Sequence, residues 1–140
     1  MSNITDTRQG ADYDAIVVGA GIAGLYQLYR LREMGLKVLA LDAASAVGGT
    51  WYWNRYPGAR VDSQSYVYQY WFSDELLEEW DWSERFPAQP ETERYLNYVA
   101  DKFDLRKDIQ FNTTVSSARW DAGRSRWVVE TDRGETFTAT

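Results

Sequence analysis

The spacing of apolar residues changes twice in the first third of the chain. Residues 13–18 (YDAIVV) close on a β-branched apolar run before Gly19, the pattern of a short buried strand. From Ile22 to Met34 the residues Ile22, Leu25, Leu28, Tyr29 and Leu31 recur at helical spacing, and Gly35 follows where helices commonly end. Residues 37–41 (KVLAL) are again a run of strand type. Strand, glycine turn, helix and strand within about 30 residues predict a βαβ unit.

Further along, residues 43–65 are rich in Gly, Ser and aromatic side chains and read as loop. A strand is expected over residues 65–72, and Ser73 is placed to cap an acidic helix over residues 74–80. Pro90 suits the first turn of a second helix running to about Phe103, with Tyr95, Val99 and Phe103 along one side. After Asp108 the period becomes two, which predicts short strands over residues 109–113, 115–120, 126–131 and 136–140, with turns at Ala122-Gly123 and Arg133-Gly134. The expected fold is α/β: a Rossmann-like βαβ core, added helices and a small antiparallel β-meander. One domain over residues 13–140 is expected behind a flexible lead over residues 1–12. The final strand stops without a turn or cap, which suggests a fold incomplete at its C-terminus, with a sheet edge exposed to association.

Composition narrows the function classes. A chain of 140 residues supports one core, and a formal net charge of −6 without a Lys/Arg-rich run argues against nucleic acid as a partner. No apolar run reaches the ~18 residues of a membrane span, and the polar N-terminus lacks a signal-peptide core, so a cytoplasmic location is expected. Cys and His are both absent. Disulfides are therefore excluded, as are the usual ligands of zinc, haem and iron–sulfur sites and any Ser-His-Asp or Cys-His mechanism within this chain.

Gly19-Ala20-Gly21-Ile22-Ala23-Gly24 is a GxGxxG sequence between a predicted strand and helix, and the next strand ends in an acid, Asp42. That context points to a dinucleotide. Gly19 permits the turn, Gly21 lets a pyrophosphate approach the backbone, and Gly24 lets helix and strand pack closely. The anion would meet free N–H groups at the helix start. Asp42 can accept from both ribose hydroxyls and disfavours a 2′-phosphate, so this turn should hold FAD or NAD rather than NADP.

The loop 48-GGTWYWNRYPGARVD-62 adds a second glycine pair and three aromatic rings in four residues. Trp51, Tyr52 and Trp53 cannot all face one core, so some of these rings should cover a flat ligand or a boundary. Arg55 and Arg60 are either solvated or paired with the acidic helix at Glu75, Glu78 and Glu79. With the glycine turn, the acid after it, WSERFPAQPE and YVADKFDLR, this stretch resembles the N-terminal segment of type I Baeyer–Villiger monooxygenases, particularly those acting on phenylacetone, steroids or cyclic ketones. The resemblance runs from about Tyr13 to Thr140.

The resemblance implies a flavoprotein that binds FAD, takes hydride from NADPH and uses O₂ to convert a ketone into an ester or lactone. It implies that Gly19, Gly21 and Gly24 hold the FAD pyrophosphate and that Asp42 holds the ribose. Thr50, Trp51, Tyr52 and Trp53 would lie along FAD, with Tyr68 near it and the Val115 backbone at the adenine. Gly48-Gly49, directly before Thr50, has no side chains and by itself gives a second place for backbone to approach a cofactor. Arg60 and Val61 match positions near the nicotinamide cofactor, and Asp62, in a supporting catalytic role, matches one beside flavin and nicotinamide. The family's second GxGxxG, its histidine-containing fingerprint and its catalytic arginine have no counterpart in these 140 residues. The expectation is therefore the FAD-binding part of a larger enzyme. Alternatives are a segment of another two-dinucleotide flavin monooxygenase or oxidoreductase, and a freestanding cofactor-binding or interaction module.

Overall fold

The computed structural model describes residues 11–140, so residues 1–10 of the expected lead lie outside the described residues. At its end, Asp12 is tied to the last strand: its Oδ2 accepts from the Thr138 amide at 2.9 Å and from the Thr138 hydroxyl at 3.0 Å.

The βαβ unit forms as the apolar periods predict. Strand β1 (Ala15–Val18), helix α1 (Ile22–Glu33) and strand β2 (Val38–Leu41) follow in order, and the strands pair in parallel from Ala15↔Val38 to Val18↔Leu41. All four β2 residues are buried, which a strand covered on both faces requires and which explains its unbroken apolar sequence. Its side chains divide by parity. Val38 and Ala40 pack with Leu25 and Leu28 of α1, whereas Leu39 and Leu41 meet Val129, Ile16 and Phe137 on the opposite face.

Helix α5 (Gln89–Lys102) completes the helical layer with Tyr95, Leu96, Val99 and Ala100, all at most 1% exposed. Each fully buried Leu or Val of this layer contributes about 2 kcal/mol relative to exposure. The other layer is an antiparallel meander of β4 (Val115–Asp121), β5 (Arg126–Thr131) and β6 (Thr136–Ala139). One face of the meander is covered, with Val129 of β5 and Ala139 of β6 buried there and Phe137 packed against β2. The edge of β6 is partly occupied: the Tyr13 amide donates to the Thr138 carbonyl at 3.1 Å, so the last strand is less open than its abrupt end suggests.

Three expectations are corrected. Residues 65–72 do not form a strand; Ser65–Tyr68 is a single helical turn, α3, closed by Tyr68 and Gln69 amides donating to the Gln64 and Ser65 carbonyls at 3.1 and 3.0 Å. Tyr66 and Val67 are exposed there while Ser65 is buried, so the β-prone composition faces solvent instead of a sheet. The strand expected over residues 109–113 shrinks to β3 (Ile109–Gln110) and joins the parallel sheet beside β2, not the meander. Asn112, in the left-handed region at φ 52°, turns the chain away. Finally, the predicted loop contains a four-residue helix, α2 (Thr50–Trp53).

The acidic helix α4 (Asp74–Glu79) forms as expected, with Ser73 Oγ accepting from the Leu76 amide at 3.3 Å. Much of the ring content is packing: Trp80 and Trp82 each lie against Tyr95, and Phe72 against Tyr29 and Phe103.

Candidate dinucleotide site

β1 ends at Val18, and the Gly19 amide donates to the Leu41 carbonyl at 2.8 Å, so the turn begins at the C-terminal edge of the parallel sheet. Open α/β sheets bind ligands at that edge. Gly21 is the N-cap of α1 and supplies no side chain, while the first turn carries no acidic residue to repel an anion. The first N–H groups of the helix have no helical carbonyl to reach and face outward as donors. Gly24 is required by contact: a Cβ there would lie 1.9 Å from the Gly19 carbonyl oxygen.

The second glycine pair lies directly on the first turn. The Gly48 amide donates to the Ala20 carbonyl at 3.1 Å, and a Cβ on Gly49, at φ +54°, would approach Gly21 Cα to 2.8 Å. Two backbones thus meet with no side chain between them. They wall a cavity of about 300 Å³ lined by Gly19, Gly21, Gly49, Thr50, Trp51 and Tyr68.

A neighbouring cavity of about 260 Å³ is lined by Gly19, Asp42, Trp53, Thr113, Thr114 and Val115. Both cavities include Val18 and Gly19, so they form one strip along the strand ends. Asp42 is 7% exposed, and each carboxylate oxygen already accepts from the backbone: Oδ2 from Ala20 N at 2.5 Å and Oδ1 from Ala44 N at 2.7 Å. The acid therefore braces the glycine turn against the end of β2, and the remaining lone pairs of its oxygens are what a ligand in this cavity can use.

The three clustered rings have separate destinations. Trp51 is buried, its Nε1 donating to the Tyr68 hydroxyl at 2.7 Å. Tyr52 spans back to Ser45, whose hydroxyl lies 2.7 Å from the phenol oxygen, and hydrogen bonding from Ser45 lowers the Tyr52 pKa. Trp53 is 62% exposed and stands at the Asp42 cavity.

Arg60, Val61 and Asp62 are not brought to either cavity. Val61 is buried with its amide donating to the Pro87 carbonyl at 2.9 Å, and Asp62 is exposed. The Arg60 guanidinium donates to Glu84 at 2.8 Å and to the Phe86 carbonyl at 2.7 Å. Pairing of the loop arginines with the acidic helix is thus corrected: Arg55 binds Glu93, Arg60 binds Glu84, and Glu75 and Glu79 hold Lys102 at 3.3 and 2.8 Å. The reason is position, since the aromatic turn packs on α5, which carries Glu93.

Sequence reasoning missed Gln89 and Glu93, which hold the aromatic turn, and Glu91, which is 7% exposed and accepts from the Ser83 amide and hydroxyl at 2.8 and 2.7 Å. Their only sequence signal is a run of polar residues at the start of an amphipathic helix. Among the described residues there is no group of acidic side chains that could hold a metal ion and no helix long and apolar enough to cross a membrane.

Residues 17–78 match the family model of an NAD(P)-binding Rossmann-like domain. The chain is 59% identical over 126 residues to acetone monooxygenase (methyl acetate-forming) of Gordonia sp. strain TY-5, covering 90% of this chain and 24% of that protein. It is 53% identical over 131 residues to a Baeyer-Villiger monooxygenase of Pseudooceanicola batsensis, covering 93% and 24%. The solved structure of OTEMO in complex with FAD and NADP superposes with a TM-score of 0.88 at 46% identity, over 94% of this chain and 25% of that one. The chain thus spans about a quarter of the length of the proteins it matches.

Proposed function

We propose that the chain is a segment of a Baeyer–Villiger monooxygenase, matching about a quarter of the length of its relatives, and that it forms the FAD-binding portion of an enzyme that uses NADPH and O₂ to insert oxygen into a small-molecule ketone. The observation that carries this reading is the cradle of two glycine backbones, continuous with a second cavity that holds an acid at the end of β2.

The residues present fit FAD. The cavity bordered by Gly21 and Gly49, whose backbones meet with no side chain between them, suits a pyrophosphate against the first turn of α1. Gly19 and Gly24 keep that turn tight. Asp42 and the Val115 backbone flank room for an adenosine, with Asp42 accepting from ribose hydroxyls and Trp53 offering a ring face at the rim. Thr50, Trp51 and Tyr68 continue the wall on the far side of the pyrophosphate position, Tyr68 being fixed by Trp51, while Tyr52, which lines neither cavity, braces the turn through Ser45.

When bound, FAD supplies the redox chemistry and the activation of O₂. The protein's part in this segment is positional. Buried apolar residues behind the glycine turns hold the backbone rigid, so the donors are already aimed before the anion arrives. Asp62, exposed on the strap that the Val61 amide ties to the Pro87 carbonyl, orients a cationic group on the nicotinamide side, with Arg60 beside it paired to Glu84 and the buried Val61 anchoring the strap.

The test is titration of the chain with FAD followed by flavin fluorescence, with far-UV circular dichroism establishing that the protein is folded. Saturable binding is expected. A folded chain that leaves FAD fluorescence unchanged overturns the reading.

A further inference from the structure

A helix of four residues has no internal partners for its last carbonyls. In α2 each of the first three is taken by a named donor. The Thr50 carbonyl accepts from the Asn54 amide and from Asn54 Nδ2, both at 2.9 Å. The Trp51 carbonyl accepts from Gln89 Nε2 at 2.5 Å, and the Tyr52 carbonyl from Arg55 Nε at 2.8 Å. The last two donors come from different segments, and both side chains converge on one carboxylate. Glu93 Oε2 accepts from Gln89 Nε2 at 2.9 Å, and its Oε1 pairs with the Arg55 guanidinium.

We propose that Glu93 is a positioning residue for the cofactor: by holding Gln89 and Arg55 on two successive carbonyls of the aromatic turn, it sets the wall of the FAD cradle. This rests on the FAD assignment above. Three observations carry it. Gln89 is 5% exposed and directs its amide group at the Trp51 carbonyl, so its orientation is constrained by packing as well as by the hydrogen bonds. The Glu93 side chain is 18% exposed, which protects the pair from solvent on the acid side. The turn it secures carries Gly49 at its N-cap, the residue in backbone contact with Gly21, and Trp51, which fixes Tyr68. A shift of the turn therefore moves the anion donors and the aromatic wall together.

The chain separates a local from a global effect because α5 is anchored independently, through Tyr95, Leu96, Val99 and Ala100 in the core. Glu93→Ala should leave β1, β2 and α1 intact while freeing both donors. Glu93→Gln keeps an acceptor for one of them and should restore part of the effect. Arg55→Ala removes the Tyr52 contact and the ion pair to Glu93 but leaves Gln89 on the Trp51 carbonyl, and supplies a milder variant should Glu93→Ala fail to fold.

Two readouts are made on the same proteins. Hydrogen exchange, without cofactor, follows the amides of Trp51, Tyr52, Trp53 and Asn54, which donate within the turn to Gly48, Gly49 and Thr50. Faster exchange confined to these amides is expected in Glu93→Ala, intermediate in Glu93→Gln. Flavin fluorescence then follows FAD, where loss of two such contacts should raise the Kd on the order of tenfold. Unchanged exchange at the turn overturns the proposal, as does faster exchange with an unchanged Kd. A parent chain that does not bind FAD overturns the functional reading instead, and the exchange measurement still decides whether the clamp exists.

Discussion

Replacing Asp42 by alanine tests the double role of the buried acid. Its two oxygens accept from the amides of Ala20 and Ala44, and both residues are 1% exposed. Removing the carboxylate leaves two buried donors without their partner, at a cost of about 1–3 kcal/mol each. The adjoining 260 Å³ cavity admits water to the vacated space, which places the sum near the low end, at roughly 2–3 kcal/mol. For a chain of this size that corresponds to a fall in Tm of roughly 6–10 °C. Asp42→Asn retains one acceptor oxygen but turns an N–H₂ group toward the other amide, so it should lose about half as much. The assay is urea denaturation of both variants without cofactor, followed by FAD titration at a temperature where each is folded. Stability within about 0.5 kcal/mol of the parent would refute the brace. A clear loss of stability with unchanged FAD affinity would refute the ribose contact.

The Gly21–Gly49 contact predicts that Gly49→Ala costs roughly 2–3 kcal/mol, because the new Cβ meets Gly21 Cα at 2.8 Å in addition to the strain of φ +54°. Gly134→Ala, at φ +76° with open space around it, is the control and should cost about 1 kcal/mol by urea denaturation; equal losses would refute the contact argument. Burial pushes the Tyr95 hydroxyl up to about 12 from its ordinary value of 10.0, partly offset by the hydrogen bond it accepts from the Tyr70 amide, and burial likewise raises Tyr70. The unfolded chain releases these protons near pH 10 while the folded chain keeps them, so this contribution is fully present below pH 10 and is lost as pH rises toward 12 and beyond. Urea midpoints from pH 8 to 12 should be flat at first and then fall; Tyr95→Phe should reduce the slope, and a midpoint constant to pH 12 would contradict the assignment.

Local signals in the chain determined a good deal. The order strand, turn, helix, strand followed from apolar period and three glycines, because a short parallel strand buried on both faces tolerates few polar residues and a tight helix start tolerates no Cβ at Gly24. Ser73 marked the start of α4, since the bond from the Leu76 amide spans only three residues. Where the decision lay between distant segments, local preference did not reach it. Tyr66 and Val67 of α3 found no buried face to pair with, and Ile109–Gln110 went to the parallel sheet because the open edge of β2 lay beside it. Candidate ligand residues were legible as types, but their meeting was not. That the GG-x-W loop would lie on the GxGxxG turn, and that Gln89 and Glu93 would reach back to hold it, depends on how α5 packs on the aromatic turn, a contact between residues far apart in the chain that only the assembled core brings within hydrogen-bonding distance.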